Sequence, residues 1–226
     1  MDENKTYAIK EVYFSIQGEG AYSGCPVVFV RYAGCNVWTG REEDRKRNVE
    51  KGRCALWCDT DFVGTDGPLG GKYTASELAH TIRKLWPNNS EATAVMTGGE
   101  PSLQIDTELV KQMTRHAIRV HVETNGSNEL PKEVAWVTLS PKPPMPFVPQ
   151  RYDELKVVCP EFDPLELNTQ VETLCGPEHI SHKYIQPQWD VDPRISSDNT
   201  AQCIEFLKNN TDWRLSVQTH KFIGLP

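Results

Sequence analysis

Tyr7 to Ile16 alternates apolar and polar residues, which predicts a half-buried strand. Gln17-Gly18-Glu19-Gly20 ends the alternation as a glycine-punctuated turn. Val27 to Tyr32 (VVFVRY) is a nearly continuous β-branched and aromatic run, the pattern of a strand buried on both faces. Gly34 and Cys35 follow at that strand's carboxyl end, where parallel α/β barrels place their chemistry.

Gly40 to Arg53 is charged and has no apolar stripe, so it reads as a solvated insertion with room for one short helix. Gly64 to Gly71 is a loop. Thr74-Ala75-Ser76-Glu77 then supplies N-cap chemistry for a helix running to Trp86, with Leu78, Ile82 and Leu85 at helical spacing.

Thereafter strands and helices alternate. Strands are predicted at Thr93–Met96, Ile118–Val122, Trp136–Leu139, Leu155–Val158, Tyr184–Ile185 and Arg214–Gln218. Helices fall at Asp106–Ala117, with Leu109 and Met113 on one face, at Pro164–Leu174 and at Thr200–Lys208. Such alternation implies an α/β fold with a parallel sheet and crossover helices. Pro141 to Pro149 interrupts it as an irregular loop over one end. With no internal repeat and no long linker, one domain is expected over 1–226, carrying the insertion at about 40–53.

The polar signatures recur where the predicted strands end: Gly34-Cys35, Thr97–Pro101 (TGGEP), Glu123–Gly126 (ETNG), Ser140–Lys142 (SPK) and Gln186-Pro187. One such site would be noise, but several on one face describe an active site.

Composition narrows the classes. At 38% hydrophobic and 24% charged residues, the chain is an ordinary globule. A chain of 226 residues buries roughly 70% or more of its unfolded surface and needs no disulfide staples. The net charge of −7 argues against a general nucleic-acid surface. No apolar run is long enough to span a membrane, and MDENKTYAIK lacks signal-peptide character, so a cytoplasmic protein is expected.

In that reducing setting the seven cysteines read as ligands plus bystanders. Cys25, Cys159, Cys175 and Cys203 lie in or beside apolar segments and are expected to pack. Cys35, Cys54 and Cys58 stand together without an obvious fourth. Three thiolates can hold three corners of an iron–sulfur cube and leave one iron open to a small molecule. The alternatives are plain loop cysteines or a zinc module completed by a histidine such as His220.

The ordered motifs decide among these. IQGEG (Ile16–Gly20), RYAGCN (Arg31–Asn36), WCDTDF (Trp57–Phe62), TGGEP, ETNGS (Glu123–Ser127), SPK, ELKVV (Glu154–Val158), Gln186-Pro187 and the terminal SVQTHKFIGLP span nearly the whole chain. In that order they resemble the 7-carboxy-7-deazaguanine synthase family of the radical S-adenosylmethionine superfamily. The superfamily usually leaves three and then two residues between its cysteines. Here the first gap runs from Asn36 to Arg53 and the second holds Ala55, Leu56 and Trp57.

The resemblance implies a modified partial (β/α) barrel, mostly parallel, with fewer crossover helices than usual. It implies a [4Fe–4S] cluster on Cys35, Cys54 and Cys58, and S-adenosylmethionine held near Gly98, Gly99, Glu100, Glu123, Ser140, Lys142 and Gln186. Glycines at 98 and 99 would let backbone approach that ligand closely. The implied substrate, 6-carboxy-5,6,7,8-tetrahydropterin, would meet Ile16, Gln17, Gly18, Arg31, Thr97 and Pro226, and Thr60 would ligate Mg²⁺. A 5′-deoxyadenosyl radical would start a ring contraction that releases ammonia and serves queuosine and other 7-deazapurine pathways. A homodimer and a reducing protein such as flavodoxin or ferredoxin are the implied partners. A glycyl-radical activase is the nearest alternative, which the pterin-site matches disfavour.

Overall fold

The computed structural model describes residues 5–51, 58–176, 178 and 180–225. Among them the chain forms one nine-stranded sheet. The strands are β1 (Tyr7–Ile16), β2 (Pro26–Tyr32), β3 (Gly71–Tyr73), β4 (Ala92–Gly98), β5 (Ile118–Thr124), β6 (Trp136–Leu139), β7 (Glu154–Cys159), β8 (His182–Pro187) and β9 (Arg214–Leu215). The helices are α1 (Glu42–Val49), α2 (Ala75–Leu85), α3 (Thr107–Arg115), α4 (Pro164–Cys175), α5 (Pro193–Asn209) and α6 (Thr219–Ile223). None of these is long and apolar enough to cross a membrane.

The sheet order is β3-β1-β2-β4-β5-β6-β7-β8-β9, so it stays open. From β2 to β9 every neighbouring pair is parallel, whereas β1 runs antiparallel to both β2 and β3. The connections from β5 to β6 and from β6 to β7 contain no helix. The expected partial barrel with reduced helices is therefore what forms.

Each strand divides its side chains between two unlike faces. Val28, Val30, Met96, Val122, Leu139, Leu155 and Val157 point into the main core, where Leu78 and Ile82 of α2, Leu109 and Met113 of α3, and Val171 of α4 meet them. Burying side chains of this size contributes about 1.5–3 kcal/mol each. The alternate residues line a concave, polar face. This corrects the expectation that Val27 to Tyr32 is buried on both faces: Phe29 and Arg31 border a cavity. The run looked continuous because Phe29 is apolar although its neighbourhood is open.

Capping chemistry explains where the helices begin. Glu77 N donates to Thr74 Oγ1 (3.3 Å) while Thr74 N donates to Glu77 Oε2 (2.8 Å), the reciprocal box that opens α2. Helix α5 starts earlier than its apolar spacing suggests, because Asp192 caps it and Pro193 occupies its first position. The expected last strand is only Arg214–Leu215: Ser216 N still donates to Ile185 O (2.9 Å), and Gln218 has turned to the cavity. The strand β3 and helix α6 had no period of their own to read. Cys203 is buried as expected, but Cys25 is exposed.

Candidate active site

The loops after the parallel strands surround a cavity of about 570 Å³, within the range of small-ligand sites. Ile16, Gln17, Arg31, Cys35, Cys58, Thr60, Thr97, Gly98, Gly99, Glu100, Glu123, Ser140, Lys142 and Gln186 all line it. Gly18 stands behind that lining, against His220. Cys54 and Pro226 lie outside the described residues.

Cys35 and Cys58 flank a small apolar cluster of Val37, Trp38 and Phe62. Burial pushes the Cys35 thiol up, and amides of Val37 and Trp38 counter this by donating to it; Val37 N lies 3.4 Å from Sγ. Amide donors on a sulfur are one of the ways proteins stabilise and tune iron–sulfur centres. This sulfur-donor chemistry suits a thiolate-held cluster. Glu42–Val49 of the charged insertion form α1, whose Arg45 and Glu42 pair at 2.7 Å. Exposed pairs of this kind are worth only about 0.3–0.5 kcal/mol.

The Thr97–Glu100 turn is seated on backbone. Gly99 N donates to Tyr32 O (3.1 Å) and Glu100 N to Gly34 O (2.9 Å). A Cβ on Gly99 would lie 1.9 Å from Gly34 O, and one on Gly98, at φ +114°, would lie 2.4 Å from Tyr32 N. The room these glycines leave is therefore taken up by the β2 segment at Arg31–Cys35.

Glu100 is 1% exposed. Its Oε1 accepts from Ser102 N (3.0 Å) and Thr124 Oγ1 (2.6 Å), and its Oε2 from Asn125 N (2.8 Å). Asn125 Nδ2 donates to Asn36 Oδ1 (2.9 Å), and Asn36 Nδ2 to Ser127 Oγ (2.7 Å). The three loops after β2, β4 and β5 are thus one hydrogen-bonded body. Glu100 braces it with its carboxylate.

Across the cavity, the Gln17–Gly20 turn is seated on side chains and on the carboxyl-terminal segment. Gln17 Nε2 donates to Glu123 Oε1 (2.9 Å) and Glu19 N to Gln17 Oε1 (3.1 Å). Gly20 N donates to Ser216 Oγ (3.0 Å), which donates onward to Gln186 Oε1 (2.9 Å). Thr219 N donates to Gly18 O (3.0 Å), and a Cβ on Gly18 would lie 2.1 Å from His220 Nδ1. Helix α6 also reaches the cysteine loop, since Lys221 Nζ lies 2.7 Å from Asp59 Oδ2 and 4.2 Å above the Trp189 ring.

Beneath this turn lies a group of charges of which motif reading had given a role only to Glu123. Lys156 is ion-paired with Glu19 and stands 3.5 Å from Glu123 Oε2. Burial opposes ionisation of Glu19, but Lys156 prevails and brings it down to about 2. Burial pushes Glu154 up, partly offset by Lys156. Lys156 itself is raised: burial works against its charge, and Glu123, Glu19 and Glu154 outweigh it. The signal was present in the alternation of Glu154, Lys156 and Val158, which turns one face of β7 away from the core.

One of the resembled contacts already has protein partners. Arg31 Nε donates to Glu11 Oε1 (2.7 Å) and Nη2 to Tyr13 OH (3.3 Å). Lys10, also in the lining, holds Asp61 and Asp66 at 2.9 and 2.7 Å beside Thr60. Fixing these cations leaves them oriented rather than mobile, as recognition of an acceptor-rich ligand requires.

Comparison with known proteins gives the same direction from another side. No protein-family model matches the chain. A protein of Burkholderia multivorans named 7-carboxy-7-deazaguanine synthase is 41% identical over 225 residues, 98% of this chain and 100% of that protein. One of the same name from Bradyrhizobium diazoefficiens is 43% identical over 222 residues, 97% and 99% of the two chains. The crystal structure of QueE from Escherichia coli superposes with a TM-score of 0.69 at 24% identity, over 94% of this chain and 93% of that one, and shows the same fold.

Proposed function

The chain belongs to the 7-carboxy-7-deazaguanine synthase family, and on that premise we propose that this cavity converts 6-carboxy-5,6,7,8-tetrahydropterin to 7-carboxy-7-deazaguanine with release of ammonia. It is a radical S-adenosylmethionine enzyme of queuosine biosynthesis. The observation that carries the site reading is convergence: Cys35 and Cys58, the Gly98–Glu100 turn, and Gln17, Arg31 and Thr97 border one cavity.

Cys35 and Cys58, with Cys54, would hold the [4Fe–4S] cluster, and the turn at Gly98–Glu100 with Glu123, Ser140, Lys142 and Gln186 would hold S-adenosylmethionine. When bound, these groups supply a reducing electron and a 5′-deoxyadenosyl radical, while the protein supplies position and shelter. Gln17 and Glu123 would meet the donor and acceptor edge of the pterin. Arg31 would orient its carboxylate, and Gly18 and Pro226 would close around it. Thr60 would give one oxygen to Mg²⁺, leaving the carboxylate and water for the remainder. Holding the carboxylate this way limits the orientations from which rearrangement can start.

In this reading the chain works as one domain over 1–226, as a cytoplasmic homodimer reduced by a flavodoxin or ferredoxin. Anaerobic cluster reconstitution followed by assay with the carboxypterin, S-adenosylmethionine, Mg²⁺ and a strong reductant is the test. Formation of the deazapurine acid and ammonia is expected. Cleavage of S-adenosylmethionine with no change in the pterin would overturn the substrate assignment. Cys54→Ala is expected to abolish turnover, and Thr60→Ala to raise the Mg²⁺ concentration needed for half-maximal rate.

A further inference from the structure

Lys156 sits on the cavity face of β7 and is only 4% exposed. One ammonium there serves carboxylates from three places: Glu19 of the Gln17–Gly20 turn, Glu123 of β5 and Glu154 of its own strand. Each acid has a second, neutral donor. Gln218 Nε2 donates to Glu19 Oε1 (2.9 Å), Gln17 Nε2 to Glu123 Oε1 (2.9 Å) and Ala21 N to Glu154 Oε2 (2.9 Å). His220 completes the titratable groups around Glu19.

Buried ion groups of this kind are seldom more stable than an apolar filling of the same volume. Stability therefore does not account for three acids and one base at this depth. Their location does, because Glu19, Glu123 and Lys156 all border the cavity. Ordinary ion pairing would need one acid, whereas here a single cation spans two acids that converge from different elements.

We infer that Lys156 is a positioning residue of the reaction: it holds the Glu19 and Glu123 carboxylates at a fixed separation, so that together they accept from the N–H edge of the bound pterin. The inference rests on the carboxypterin reading above. Lys156 acts through the two acids and does not itself touch the substrate. Without the ammonium, only Gln218 and His220 oppose the burial of Glu19, and its proton affinity rises. Protonated, Glu19 presents a donor where the pterin also presents one.

The test compares Lys156→Met and Lys156→Arg with the unaltered enzyme, reconstituted and assayed on the carboxypterin across pH values from about 5 to 9. In Lys156→Met, kcat/KM for the pterin is expected to fall roughly 10- to 100-fold, the weight of charged hydrogen bonds. Its acid limb should move toward neutral pH. Lys156→Arg should return the acid limb to its original position. If Lys156→Met does not fold, Glu123→Gln with Lys156→Met removes one charge of each sign and should still show the raised acid limb. An identical acid limb in every folded variant would overturn the inference while leaving the substrate assignment standing. Failure of the unaltered enzyme to turn over the pterin would sink both.

Discussion

Two glycine turns face each other across the cavity, and they are held by opposite means. Thr97–Glu100 rests on main chain: Gly99 N and Glu100 N reach the carbonyls of Tyr32 and Gly34, and no side chain stands between. Gln17–Gly20 keeps main-chain bonds to Cys25 O and Thr219 N but also rests on distant side chains, with Glu154 of β7, Ser216 after β9 and His220 of α6 against it. A carbonyl in a sheet-linked loop cannot move out of the way, whereas an imidazole can turn. The first turn is therefore built for one geometry, and the second can adjust to what it encloses.

The sharpest way to break that contrast is Gly99→Ala. With Gly34 O 1.9 Å from the new Cβ, the loops after β2 and β4 must separate, and a loss of about 4 kcal/mol or more is expected. Thermal unfolding measures it; a melting temperature within a few degrees of the unaltered protein would show that this seat is pliant. Gly18→Ala should be milder. The His220 ring can swing away, so stability should fall by about 1 kcal/mol, while kcat/KM for the pterin falls about tenfold as α6 shifts. Equal losses of stability in the two variants would erase the distinction.

The smallest effect is one of pH. Burial holds the His220 imidazole below its ordinary value of 6.5, with Lys221 and Lys156 adding to this and Glu19 and Glu123 opposing it. A base whose folded pKa is depressed contributes stability that is complete above its unfolded pKa. That contribution is lost as pH falls from about 6.5 toward the lowered value. Amide exchange should accordingly show protection at Gly18–Gly20 declining with acid, while protection at Gly98–Glu100 holds. A parallel decline at both turns would mean that His220 does not discriminate between them.

Much of the fold was legible because its elements obey local rules. Thr74 and Glu77 announced α2, and the runs ending at Gly34, Thr97 and Glu123 announced strands with chemistry at their tips. Legibility failed where a residue's role depends on a distant partner. Nothing near Gly99 in sequence says that its missing Cβ is needed by Gly34. Nothing near Glu100 says that its carboxylate belongs to Thr124 and Asn125. Lys156 looked like one more residue of a strand motif because its partners lie on the Gln17–Gly20 turn and on β5. The antiparallel β1 was hidden for a related reason: alternation reports a half-buried strand but carries no direction.

The bridge from Lys221 to Asp59 ties the segment carrying Cys58 and Thr60 to the helix that closes over the Gln17–Gly20 turn. Ordering either end of that bridge removes conformational freedom from the other, so in the proposed function a metal held by the first segment and a substrate held by the second would be thermodynamically linked. Such linkage is reciprocal: whatever factor metal loading adds to substrate affinity, bound substrate returns to metal retention.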